Sequence, residues 1–301
     1  MISYTGRFAP SPTGPLHFGS LVAAVGSFLE ARHQRGIWRL RMEDVDRPRC
    51  KTGAADEILQ TLTAFGFEWD GPVQNQSSRV DQYRATLESL RLQDLAFPCA
   101  CTRRELADSR LAELAGDGAQ IYPGTCRQGL PAGKVARSWR LRAVDESIAF
   151  DDAVQGRVAQ NLAHEVGDFV LLRADGLFAY QLAVVVDDAE QEITHVVRGA
   201  DLLESTPRQI FLQRLLGLST LQYAHLPVAV NAAREKLSKQ TCAAPLDNTK
   251  PQPALWNALV FLGQSPPVEL RRAGLADVWQ WAHAHWDMAR VPRQQSLPVA
   301  E

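Results

Sequence analysis

The chain has 301 residues, enough for one large domain or two moderate ones. A hydrophobic fraction of 46% and a charged fraction of 22% exclude disorder, collagen-like repeats or a coiled-coil rod as its main character. Lys plus Arg number 32 against 34 Asp plus Glu, a net charge of −2, so the chain is not a uniformly basic nucleic-acid coat. A local basic groove stays open, because residues 1–50 carry seven Arg against four acids. No basic flank followed by an apolar run opens the sequence. The longest apolar stretches, such as residues 182–186, are too short to cross a bilayer. The expectation is a cytoplasmic protein with no membrane partner.

In chain order, a first strand ends near Phe8, and a loop with Pro10, Pro12, Gly14 and Pro15 follows. Leu21, Val22, Val25, Phe28 and Leu29 recur at helical spacing, and Gly36 closes that helix. Ile37–Met42 is a strand in which Trp38, Leu40 and Met42 alternate with Arg39 and Arg41. A helix over residues 54–65 is followed by Gly66. This strand–helix–strand–helix order predicts an α/β protein with a parallel sheet. From about residue 96 to 137 the pattern weakens and cysteines cluster, which marks an insertion.

Residues 169–173 and 177–186 read as two strands of a hairpin around Asp175-Gly176, with Asp187-Asp188 terminating the second strand. Residues 194–198 form a short strand before Gly199. Thr206 as N-cap and Pro207 in the first turn open a helix that runs through Ile210, Leu212 and Leu215 to Gly217. The C-terminal part is helical, with Trp256, Trp279, Trp281 and Trp286 as packing anchors.

Two segments carry the chemistry. His17-Phe18-Gly19-Ser20 lies between a strand end and a helix start, the usual ligand crevice of a parallel sheet. There a helix N-terminus meets an anion, His17 can donate to a phosphate, and Gly19 lets a flat purine approach the backbone. Lys236-Leu237-Ser238-Lys239-Gln240 offers two lysines three apart, suited to the charge that builds on a triphosphate during transfer. A third group is Cys99-x-Cys101 and, twenty residues on, Tyr122-x-x-x-Cys126. Three thiolates in a small insertion suit Zn2+, which takes four ligands. Water or an acid such as Glu105 is open as the fourth. Cys50 and Cys242 are isolated. His33, His164, His195 and His225 show no ligand spacing and read as core or surface residues, as do His283 and His285.

The two segments, in this order in an α/β chain, resemble the signatures of class I aminoacyl-tRNA synthetases. Ser20 stands where the first signature commonly has a second His, and Leu237 and Gln240 replace the commoner Met and Ser. Residues 7–14, 41–46, 180–188 and 194–208 resemble the glutamyl branch of that class, over about residues 1–250. The length, the His-Phe-Gly-Ser variant and the cysteine insertion resemble the glutamyl-Q tRNA(Asp) synthetases, which lack the anticodon-binding region.

The resemblance implies a Rossmann-like parallel sheet with a zinc-bearing insertion and a short C-terminal helical region. The divisions expected are 1–95, first half of the nucleotide-binding catalytic domain; 96–190, an acceptor-binding-like insertion, zinc-bearing near 99–126; 191–245, the second half with the lysine loop; and 246–301, the helical region. It implies activation of L-glutamate by ATP with Mg2+, and transfer of glutamate to queuosine in the anticodon of tRNA(Asp), by a monomer. A truncated glutamyl-tRNA synthetase charging tRNA(Glu), and an inactive RNA-binding or regulatory paralogue, are the alternatives.

The residue chemistry agrees with glutamate, whose ammonium needs an acid and whose two carboxylates need cationic forks. Glu43 suits the ammonium, Arg7 and Arg198 the carboxylates, and Tyr180 and Ser11 complete the glutamate set. ATP falls to His17, Gly19, Ser20, Lys236, Ser238 and Lys239, with His17, Lys236 and Lys239 in the catalytic role. By resemblance Tyr122 is the fourth zinc ligand beside Cys99, Cys101 and Cys126. No nucleophilic side chain is required, and Asp187-Asp188 reads as support for the arginines.

Overall fold

In the computed structural model, residues 3–107, 121–231, 233–237 and 244–299 are described. Ser238, Lys239, Gln240 and Cys242 lie outside the described residues.

The first half alternates strand and helix: β1 Thr5–Phe8, α1 Phe18–His33, β2 Ile37–Met42, α2 Ala54–Ala64, β3 Gln74–Asn75 and α3 Val80–Leu92. Strands β1, β2 and β3 are neighbours in that order and parallel. Chain direction reverses after α1 through Arg35, which takes a left-handed φ of 53°. Gly36 is needed beside it for closeness rather than for φ: a Cβ there would sit 2.4 Å from the Tyr4 carbonyl oxygen. The alternation in β2 buries Trp38, Leu40 and Met42 as expected, yet Arg41 is also fully buried. A parallel sheet is covered on both faces, so the polar phase of an alternating strand is no guide to exposure there.

The middle of the chain holds β4 Ala96–Cys99, α4 Arg103–Ala107, β5 Ser138–Leu141, β6 Ser147–Asp152, β7 Gly156–Asn161, α5 Leu162–Glu165, β8 Val170–Leu172 and α6 Tyr180–Glu190. Strands β4, β5 and β8 form an antiparallel sheet. The Asp175-Gly176 turn is present, with Gly176 at φ 80° and Arg173 hydrogen-bonded to Leu177. The second hairpin strand is not: after one bridge from Leu172 to Phe178 the chain enters α6. Leu182, Ala183, Val184 and Val185 are all buried, so this stretch of the helix is buried on successive sides rather than along one stripe. A continuous apolar run cannot be told from a buried strand by periodicity. Asp187 and Asp188 accordingly sit in the last turns of a helix, not at a strand end.

The second half contains β9 His195–Gly199, α7 Thr206–Leu215, β10 Gln222–Leu226 and β11 Val228–Val230. Strands β9 and β10 are parallel, and β10 also pairs with β6. Thr5 N–H donates to Thr194 Oγ1 and Thr194 N–H to the Thr5 carbonyl, both at 2.9 Å, so the two halves meet edge to edge. Thr206 is the first residue of α7 rather than its N-cap, and its hydroxyl faces Arg198 and His225 instead.

Helices α8 Pro251–Phe261 and α9 Leu275–His285 lead to β12 Ser296–Pro298, which pairs with β11. Trp279 and Trp286 are buried, Trp256 and Trp281 only partly. Trp279 Nε1 donates to the Phe65 carbonyl and Trp286 Nε1 to Glu30, each at 2.8 Å. The C-terminal helices thus close over the core formed by α1, β2 and Phe67. Among the described residues no helix is long and apolar enough to cross a membrane.

Candidate functional site

A cleft of about 2020 Å³ opens at the C-terminal ends of β1, β2, β9 and β10. Ser11, His17, Gly19, Ser20, Glu43, Tyr180 and Lys236 line it. Arg7 and Arg198, at 3% and 5% exposure, stand in the strands behind it.

One end of the cleft is built from three elements. Strand β1 supplies Arg7, and β2 supplies Arg41 and runs straight into Glu43. Helix α6 supplies Tyr180, Asp187 and Asp188, which lie seven and eight residues, two turns, from Tyr180 and share its stripe. Asp188 joins two cations: it accepts from Arg7 Nε and Nη2 at 3.3 and 3.4 Å and lies 2.8 Å from Arg41 Nη1. Arg41 reaches on to Glu43 at 3.3 Å. Asp187 takes Arg79, Gln76 and Tyr83 at 2.6, 2.8 and 2.7 Å.

The two aspartates therefore hold the arginines in place, the support role expected for them. Burial pushes the Asp188 carboxyl up, and Arg7 and Arg41 more than offset this, holding it below the usual range. Glu43 goes the other way: burial raises its pKa although Arg41 and Arg7 pull it down. A buried carboxylate held above its ordinary pKa is short of positive charge, which an incoming ammonium supplies.

Across the cleft, Arg198 Nη1 donates to the Tyr180 hydroxyl at 3.2 Å and Nη2 to Thr206 Oγ1 at 2.8 Å. Burial raises the Tyr180 pKa, so its hydroxyl stays neutral. Two cationic forks, one acid and one hydroxyl thus converge from β1, β2, β9 and α6.

At the other end, His17 is the N-cap of α1 and its Nδ1 accepts from Ser20 N–H at 3.4 Å. A Cβ on Gly19 would lie 3.2 Å from the His17 ring and 3.5 Å from the Leu237 carbonyl, so the helix start and the lysine segment approach closely there. Lys236 Nζ pairs with Asp201 at 2.6 Å on the cleft wall. His17 also forms a bridge with Pro245, which returns the far end of the lysine loop to the first signature. Among the described residues the two segments, some 220 apart in sequence, are therefore brought together.

The cysteines converge as well. The Sγ atoms of Cys99, Cys101 and Cys126 lie within 4.8 Å of one another. Tyr122 hydroxyl is 3.5 Å from Cys99 Sγ and 3.9 Å from Cys101 Sγ. Burial pushes the Cys99 thiol up, but hydrogen bonds from Tyr122, the Cys101 backbone and Arg140 bring it down to about 7. Glu105 is engaged elsewhere: it caps its own helix through Thr102 at 2.7 Å and pairs with Lys134 at 3.0 Å.

Residues 4–270 match the family model described as tRNA synthetases class I (E and Q), catalytic domain. A protein of Dechloromonas aromatica named glutamyl-Q tRNA(Asp) synthetase is 64% identical over 98% of this chain and 97% of its own length. One of the same name from Aromatoleum aromaticum is 62% identical over 97% of this chain and 91% of its own. This chain belongs to the glutamyl-Q tRNA(Asp) synthetase family. Its fold is that of class I tRNA synthetases and its class of chemistry is ligation. A glutamate-tRNA synthetase structure from Elizabethkingia anophelis superposes with a TM-score of 0.80 at 25% identity, over 99% of this chain and 68% of that one. A second, from Elizabethkingia meningosepticum and in complex with its amino acid, gives 0.80 at 26% over 99% and 67%.

In this glutamyl-Q family member the cysteine cluster could hold a metal ion. One pair has the spacing zinc would set: Zn–S bonds of about 2.3 Å in a tetrahedron place neighbouring sulfurs ~3.8 Å apart, and Cys101 and Cys126 Sγ are 3.7 Å apart. Cys101 also lines the cleft, so the insertion borders the same cavity as the glutamyl-Q signatures.

Three contributors were not legible in the sequence. Arg41 was hidden in the polar phase of β2. Asp152 and His225 gave no signal, because what joins them to Arg198 is the pairing of β6, β9 and β10. Of the other histidines, His195 stacks on Tyr4 at 4.1 Å, His164 pairs with Asp145 on the surface, and His285 stacks on Trp281.

Proposed function

We propose that this chain activates L-glutamate with ATP and transfers it to queuosine in the anticodon of tRNA(Asp). The observation that carries this is the single cleft lined by His17, Gly19, Glu43, Tyr180 and Lys236, with Arg7 and Arg198 behind it. The names of its relatives supply the acceptor.

Glu43 holds the ammonium, Arg7 and Arg198 take the carboxylates, and Tyr180 and Ser11 fill the polar wall. His17, Gly19 and Ser20 hold the nucleotide. Lys236, Ser238 and Lys239 are assigned to the phosphates on their sequence pattern, with Mg2+ arriving as part of the ATP substrate. A glutamate carboxylate oxygen attacks the α-phosphorus in line, the bond to the bridging oxygen breaks, and pyrophosphate leaves with the electron pair. An acceptor hydroxyl of the nucleic acid then attacks the adenylate carbonyl. AMP leaves with the bonding pair and its phosphate takes the hydroxyl proton. The protein contributes position and fixed charge rather than a nucleophile.

Zn2+ on Cys99, Cys101, Cys126 and Tyr122 would tie residues 99–126 together as a structural ion. A monomer in the cytoplasm, divided at residues 95, 190 and 245, completes the proposal.

The test is a comparison of acceptors. Purified protein, ATP and labelled glutamate are incubated with queuosine-containing tRNA(Asp), queuosine-free tRNA(Asp) and tRNA(Glu). Label on the first alone is expected. Label on tRNA(Glu) alone would point to a 3′-end synthetase, and no glutamate-dependent ATP–pyrophosphate exchange would point to an inactive paralogue; either defeats the proposal.

A further inference from the structure

Three neighbouring strands each place one side chain in a line behind the proposed glutamate pocket. Arg198 of β9 stands in register with His225 of β10, and Asp152 ends β6, opposite Tyr223 of β10. All three are buried. Arg198 Nε donates to His225 Nε2 at 3.0 Å, and His225 Nδ1 lies 2.6 Å from Asp152 Oδ2. A guanidinium nitrogen can only donate, so His225 Nε2 has to accept and the ring proton sits on Nδ1, which donates a hydrogen bond to Asp152 Oδ2.

Asp152 cannot swivel, because its other oxygen accepts from the backbone N–H groups of Val154, Gln155 and His225 at 3.0, 2.9 and 3.0 Å. Burial, with Arg198 adding to it, holds the His225 pKa down at about 4 against the pull of Asp152. The ring is therefore neutral near pH 7.

We propose that Asp152 and His225 are positioning residues for glutamate binding: Asp152 sets the Nδ1–H tautomer of His225, and His225 sets the plane of the Arg198 guanidinium. This rests on the assignment of Arg198 to a substrate carboxylate. Of the other two guanidinium nitrogens, Nη1 donates to Tyr180 and Nη2 to Thr206 Oγ1 and the Leu202 carbonyl; Thr206 Oγ1 is also 3.2 Å from His225 Nε2, so His225 reaches Arg198 directly at Nε and indirectly through Thr206. A guanidinium meets a carboxylate through a planar fork, so its orientation and not only its charge decides the affinity.

Asp152→Asn separates these roles at constant size. Asn would keep its carbonyl oxygen on the three backbone N–H groups, which turns its amide donors toward His225 Nδ1. The ring proton then moves to Nε2 and confronts the Arg198 Nε–H. Glutamate KM in ATP–pyrophosphate exchange is expected to rise about tenfold, the scale of one charge-assisted hydrogen bond, with the ATP KM unchanged. Nitrogen-15 NMR of the ring should show the proton on Nε2. A purely structural role would lower thermal stability without this selective effect on glutamate.

His225→Gln keeps an acceptor oxygen toward Arg198 and should bind glutamate nearly as well as the unsubstituted protein, whereas His225→Phe should not. That pair decides the matter if Asp152→Asn does not fold. An inverted tautomer with unchanged glutamate KM, or equal behaviour of the Gln and Phe variants, overturns the proposal. Arg198→Leu is the control. If it leaves glutamate KM unchanged, the assignment of Arg198 itself has failed. If it raises KM while Asp152→Asn and His225→Phe do not, only the positioning role has failed.

Discussion

Glu43 is the residue on which the charge of the proposed substrate would bear most directly. Burial holds its carboxyl above the ordinary pKa, and Arg41 and Arg7 offset only part of that. An ammonium docking on it favours the ionised form and lowers the pKa, so binding is linked to loss of a proton. The sign follows: affinity for glutamate is full above the raised pKa of the free site and is lost as pH falls through it. Calorimetric titration with glutamate from neutral to acidic pH should show weakening accompanied by proton release. A pH-independent affinity over that range would contradict the ammonium role. That Arg7, Glu43, Tyr180 and Arg198 would converge was legible in the sequence, because each reads as a charge or hydroxyl the proposed substrate needs. Arg41, Asp152 and His225 were not, because their partners are set by packing across the sheet.

Helix α6 shows why an element can hide from periodicity. Its apolar residues are buried on every side, so the 3.6-residue stripe that marks a surface helix is missing and an extended strand fits the pattern equally well. The turn before it was legible from Asp175-Gly176, since Gly176 takes a left-handed φ. The cysteine segment is the opposite case: among the described residues between Cys99 and Cys126 only α4 is regular, but the donor set is visible from spacing. Cys126 is 1% exposed and one of the three convergent thiols. Cys126→Ser should lower unfolding free energy by roughly 4 kcal/mol, as loss of a structural metal does, and abolish bound zinc. Thermal unfolding with elemental analysis reads both. Native protein free of zinc would remove the metal from the account.

At the scale of the whole molecule, the C-terminal helices brace the first half of the sheet. Phe28 meets Trp38, Phe67 and Trp279 edge to face or nearly so, with centroids at 5.0, 5.3 and 5.2 Å. Trp279 is 8% exposed and its indole N–H is satisfied by the Phe65 carbonyl. Trp279→Ala should cost about 3–5 kcal/mol by urea unfolding, from lost burial and the cavity left behind. A loss below about 1 kcal/mol would mean that the C-terminal region packs loosely on the core. The tryptophans were legible as anchors, and their spacing shows why Trp279 is buried and Trp281 only partly so: two residues apart, they cannot share one helix face.

The sequence by itself determined the α/β class, the parallel first half and the cysteine donor set. Those features are written in local chemistry: alternation, turn residues, and charged or thiol groups at short spacing. Only the tertiary structure decided that Arg41 is buried, that the apolar run after Gly176 is a helix, and that Asp152 and His225 stand behind Arg198. Each of these depends on what lies across the sheet or on its second face, and strand register joins residues that no spacing along the chain connects.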